Sequence, residues 1–88
     1  MSYNIEQIMV GEIYLVNDTD LKISGNKQRP CKIVDINYEN ETVDVIYYTS
    51  TPSIYNQSSE KLPGNRQLSH TNNQVICVHV KKLRNLLN

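Results

Sequence analysis

The chain has 88 residues, nine basic against nine acidic side chains, two cysteines, and no Trp, Phe or Ala. At this length a folded chain buries only about 60–65% of the surface its unfolded form exposes, so residues 1–88 have room for one core and one domain. Nine Ile, eight Val and six Tyr with no Ala turn the composition away from a helix bundle and toward a small β protein.

Residues 1–10 carry Ile5, Ile8 and Met9 at helix-like spacing, enough for a turn or an N-terminal arm. No basic stretch followed by an apolar run occurs there, and no apolar run elsewhere is long enough for a membrane span, so a cytoplasmic protein without membrane association is expected. After Gly11, Glu12-Ile13-Tyr14-Leu15-Val16 reads as a largely buried strand. The cluster Asn17-Asp18-Thr19-Asp20 ends it, and residues 17–28, with the turn pair Gly25-Asn26 and little core material, are predicted to form a mobile surface loop. Pro30-Cys31-Lys32-Ile33-Val34-Asp35-Ile36 is the second strand, with Pro30 at its start, where a missing N–H is tolerated.

A polar turn within residues 37–42 leads to a third strand over 43–49, on which Val43, Val45, Tyr47 and Thr49 share one face and Asp44, Ile46, Tyr48 and Ser50 the other. Residues 50–73 are rich in turn formers, and two short strands are predicted there, near 60–62 and 67–69. Gln74-Val75-Ile76-Cys77-Val78-His79-Val80 is the final strand, with His79 a half-buried structural residue. In the tail, residues 81–88, leucines at i, i+3 and i+4 predict one or two helical turns with Lys81, Lys82 and Arg84 on the outer side. Five or six strands with tight hairpins are best accommodated by a small antiparallel barrel, because closure removes exposed edges.

The cysteines have no CxxC spacing, and Cys77-Val78-His79 has no second ligand pair beside it, so two buried free thiols are expected rather than a zinc site, and no metal or cofactor is implied. The charges are ordered along the chain. Acids alone occupy residues 1–20, bases alone (Lys22, Lys27, Arg29, Lys32) occupy 22–32, and acids return at 35–44. A neutral molecule can therefore still carry a local positive face.

Arg29 stands between the loop and the second strand, and its planar fork matches phosphate oxygens. Thr49-Ser50-Thr51 ends the paired strand, and a turn near 38–41 brings residues 49–51 back beside 29–30. An arginine and two or three hydroxyls therefore converge in a manner suited to a phosphodiester. The plain alternatives are a surface arginine and a strand-ending hydroxyl cluster. His70, in a polar stretch, is either a surface histidine or a proton carrier. Metal-free RNA cleavage needs little more than this, since the 2′-OH of the substrate is the nucleophile.

The order Gly11-Glu12-Ile13-Tyr14-Leu15-Val16, a loop of about a dozen residues, Gln28-Arg29-Pro30-Cys31-Lys32-Ile33-Val34 and a strand ending in Thr49-Ser50-Thr51 resembles the MazF/PemK family of toxin endoribonucleases. Residues 74–84 are similar to a later segment of that family. The resemblance implies a mostly β protein with a small SH3-like antiparallel barrel of the MazF/PemK/CcdB kind, a homodimer, cleavage of single-stranded RNA without metal, and neutralisation by an antitoxin protein. It implies catalytic roles for Arg29 at the phosphorane and for Thr49 or Ser50 at the 2′-OH, with Thr51 a register alternative. Lys22, Lys27, Gln28, Thr51 and His70 would contact substrate, and the loop 17–28 would cover the RNA channel. The competing expectation is a non-catalytic barrel that binds a peptide or nucleic acid in the same groove.

Overall fold

A computed structural model describes residues 3–50, 59–63, 68–71 and 74–87. The strands are β1 (Ile13–Asn17), β2 (Gln28–Asn37), β3 (Thr42–Thr49), β4 (Ser59–Lys61), β5 (Leu68–Thr71), β6 (Ile76–His79) and β7 (Leu86–Leu87), with short 3-10 turns at Ile5–Gln7 and Val80–Lys82. Every pairing is antiparallel, the order being β4-β5-β3-β2-β1-β7, with β6 also on β3. The protein is mostly β, an antiparallel sheet curled into a half barrel. Among the described residues no helix is long and apolar enough to cross a membrane.

The longest hairpin, β2–β3, turns where the Asn37 side chain accepts the Asn40 N–H and Glu41 adopts a positive φ of 56°. Its register changes once: Ile33 pairs with Val45 but Asp35 with Asp44, which leaves Val34 as an extra residue in a bulge. The bulge explains why Ile33 and Ile36, three apart, both serve the core while Asp35 is exposed. It also moves the register by one at the far end. An unbroken register about the 38–41 turn puts residue 30 opposite 49, whereas continuing the observed Cys31–Tyr47 pairing by two residues puts Arg29 opposite Thr49.

The main core lies on the concave face and joins Tyr14, Val16, Cys31, Ile33, Val43, Val45 and Val78 to Ile5 and Ile8 before the sheet and Val80 and Leu83 after it. Burial of such side chains contributes about 1.5–3 kcal/mol each. The N-terminal segment is therefore core material beyond an arm: its 3-10 turn is closed by a capping box of Asn4 and Gln7, which aims Ile5 and Ile8 inward. A smaller cluster of Ile13, Tyr48 and Leu62 with Leu87 covers part of the other face.

The expected helical tail is corrected. The chain makes a single 3-10 turn over Val80–Lys82, in which the His79 imidazole accepts the Lys81 N–H, and then runs as β7 along β1. Leu83 and Leu86 serve the main core and Leu87 the smaller cluster, a division between two faces of a sheet that one helix face cannot make. The edge of β1 decides it, since Arg84 donates to the Leu15 carbonyl and Leu15 to that of Asn85. A second correction concerns the thiols: both are free, but only Cys31 is buried and Cys77 is exposed. Pairing of Val78 with Val43 turns Val78 inward and its neighbour Cys77 outward.

Candidate functional site

Residues 18–27 connect β1 to β2 and are organised by one side chain. Asp18 is only 1% exposed, and every oxygen it presents is used. Its main-chain carbonyl accepts the N–H groups of Leu21 and Ile23, its Oδ2 accepts the Lys27 N–H at 3.2 Å, and its Oδ1 accepts Arg29 Nε at 2.7 Å. A buried carboxylate requires such partners, because desolvation of an unpaired charge costs several kcal/mol. Gly25 closes the loop over it with φ +128°, and a Cβ there would stand 2.4 Å from Asp18 Oδ2, so the turn requires glycine. Leu21 is buried in the main core, which corrects the expectation that this loop contributes little to the interior.

Arg29 is held on one further side. Its guanidinium carbon lies 5.8 Å from the Tyr47 ring centroid, in cation–π range, and its side chain keeps 28% exposure. The salt bridge runs through Nε alone, and among the described residues no hydrogen bond reaches either Nη. The Nη edge is the part of the fork that suits two phosphate oxygens.

Beyond the Cys31–Tyr47 pair, β2 and β3 part, and a cleft of about 330 Å³ opens between them. Lys27, Gln28, Arg29 and Pro30 line one wall; Tyr48, Thr49, Ser50 and Ser69 line the other. Five residues expected at the site (Lys27, Gln28, Arg29, Thr49 and Ser50) thus meet in one cleft. Lys22 lies in the loop with φ 60° and outside the lining, and Thr51 falls outside the described residues. His70 also lies outside the lining but pairs across the strands with Thr49 on one side and Ser59 on the other, its Nδ1 2.6 Å from Ser59 Oγ.

The Tyr48 hydroxyl donates to Glu60 Oε1, and Glu60 also faces Lys32 Nζ at 3.4 Å. Burial, followed by the bond to Glu60 and its charge, pushes the Tyr48 hydroxyl well above the ordinary tyrosine range, so it stays protonated and acts as a wall. Glu60 moves below the usual carboxylate value, chiefly because Tyr48 bonds to its ionised form and also because of Lys32. Chemically the described lining offers two cations, three aliphatic hydroxyls and an amide, a set that binds an anion with several oxygens. Among the described residues no group of three or more His, Cys, Asp or Glu stands close enough to hold a metal ion.

Sequence reasoning missed Asp18 and Ser69, and the contact of Tyr47 with Arg29. Pairing the strands over 13–17 and 28–37 as a hairpin would have brought Asp18 to Arg29, since Asn17 faces Gln28. Comparisons of the chain with protein-family models, with curated proteins and with solved structures find no match.

Proposed function

We propose that this chain is an SH3-like barrel of the MazF/PemK type that cleaves single-stranded RNA without a metal, as the toxin of a toxin–antitoxin pair. The observation that carries the reading is an arginine fixed by Asp18 at a cleft whose opposite wall is Thr49 and Ser50. In the reaction the 2′-OH of the substrate attacks the adjacent phosphorus and the 5′-oxygen leaves, giving a 2′,3′-cyclic phosphate and a 5′-hydroxyl. Arg29 takes up charge on the phosphorane oxygens and can supply the proton to the leaving oxygen. The hydroxyl of Thr49 or Ser50 orients the 2′-OH, whose proton passes to solvent water, and solvent returns a proton to Arg29 once it has protonated the 5′-oxygen, while Lys27 and Gln28 hold flanking phosphates. The partners on this reading are single-stranded RNA, a second copy of the chain and an antitoxin protein, in the cytoplasm.

Purified protein is expected to cut unstructured RNA in EDTA and leave cyclic phosphate ends. Arg29→Ala should slow cleavage by about 10²-fold or more, the usual scale for removing one charge-stabilising group. Arg29→Gln retains a donor for the buried Asp18 carboxylate and should be as inactive while remaining folded by circular dichroism. Intact RNA after long incubation with folded wild-type protein overturns the reading. One observation favours a second reading, a barrel that binds RNA without cutting it: no carboxylate or imidazole stands among the described cleft-lining residues. RNA binding that depends on Arg29, with no cleavage, would establish that alternative.

A further inference from the structure

We infer that Asp18 is the positioning residue that makes Arg29 an anion-binding group, by holding the guanidinium through Nε and leaving its Nη edge for phosphate oxygens; this rests on the proposed reading of the cleft. An arginine side chain has four rotatable bonds, and at a strand start beside a solvent-filled cleft it would sample many orientations. Here three contacts restrict it. Oδ1 of Asp18 receives Nε at 2.7 Å, the ring of Tyr47 supports the guanidinium at 5.8 Å, and Asp18 is itself immobilised by the Lys27 N–H on Oδ2.

The geometry of the bridge matters as much as its charge. A carboxylate gripping both Nη groups would occupy the edge that phosphate needs and neutralise the site. Asp18 sends its second oxygen to the Lys27 main chain instead, so the fork is oriented without being blocked. Lys27 itself lines the cleft; one carboxylate therefore sets the backbone of one cation and the side chain of the other. Gly25 belongs to the same device, because any side chain there would push Oδ2 out of place.

Two substitutions disturb the carboxylate independently. Asp18→Asn keeps the shape, removes the charge and turns one carboxylate oxygen into a donor. Gly25→Ala keeps the Asp18 carboxylate chemically intact and drives a methyl against its Oδ2. Each is expected to lower RNA cleavage by about 10- to 100-fold, the scale of a misoriented active group, mainly in kcat. A purely structural role would cost the same in any background, so the deciding test is a double-mutant cycle: Asp18→Asn added to Arg29→Gln should cost no further activity.

Independently of RNA, the Arg29 Nε–H proton in the free protein should exchange slowly with water by NMR, and either substitution should abolish that protection. If Asp18→Asn fails to fold, Gly25→Ala decides through the same two readouts. Fast exchange of the proton in wild-type protein, additive effects in the cycle, or full activity of folded Gly25→Ala each overturn the inference. Should Arg29→Gln be impaired while folded Asp18→Asn is not, the nuclease reading stands and the positioning role falls. Should Arg29→Gln cleave normally, the assignment of Arg29 and its cleft as the active site fails and the inference with it, whereas the nuclease reading itself fails only if folded wild-type protein leaves RNA intact.

Discussion

The Cys31 thiol is fully buried, at 0% exposure, and donates to the Arg29 carbonyl two residues before it. Burial pushes its pKa up to about 12, with the charge of Arg29 opposing the shift and that of Asp18 adding to it. Thiolate is the reactive form, so Cys31 should be inert in the native protein. Cys77, on the outward side of β6, is exposed. Iodoacetamide at mildly alkaline pH should therefore label Cys77 alone, with Cys31 following only on denaturation, as read by mass spectrometry of peptides. Equal labelling of the two native thiols would show that β2 does not pack as described. Alternation along residues 74–80 carries part of this distinction, since Ile76, Val78 and Val80 share one phase and Cys77 shares the other with His79, and the pairing of Val78 with Val43 fixes the apolar phase inward.

The β4–β5 hairpin reaches β3 through Tyr48–Thr71 and Thr49–His70, and the Tyr48–Glu60 bond and the Lys32–Glu60 pair add side-chain ties to it. Glu60 has a folded-state pKa below its ordinary 4.5. Its contribution to stability is therefore complete above the unfolded value and is lost as pH falls through the folded one. Glu60→Gln should lower the urea midpoint near neutral pH and converge with wild type as pH falls below the folded-state value. An equal loss at both pH values would mean that charge is not what Glu60 contributes. Both hairpin strands were legible as short segments near 60–62 and 67–69, because polar turn-forming stretches bound them. The tail was not: leucines at 83, 86 and 87 satisfy helical spacing, and only the unpaired edge of β1 makes the extended form the better one.

For the molecule as a whole, nine bases cancel nine acids, so RNA binding on the proposed reading depends on Lys27 and Arg29 rather than on an overall field. With about two phosphate contacts, log affinity for single-stranded RNA should fall with log salt at a slope of roughly −1.4, and Arg29→Gln should flatten it by about 0.7. A slope several times steeper would place the binding surface elsewhere. The sequence by itself determined the β class, six of the seven described strands to within two residues, and the meeting of Arg29 with Thr49 and Ser50, because side-chain alternation and hairpin closure are local properties of the chain. Tertiary structure alone decided the one-residue register step at Val34, the extended tail and the burial of Asp18 beneath Gly25. Each of these depends on which edge, face or partner a segment finds after the sheet has curled, and no spacing along the chain encodes that.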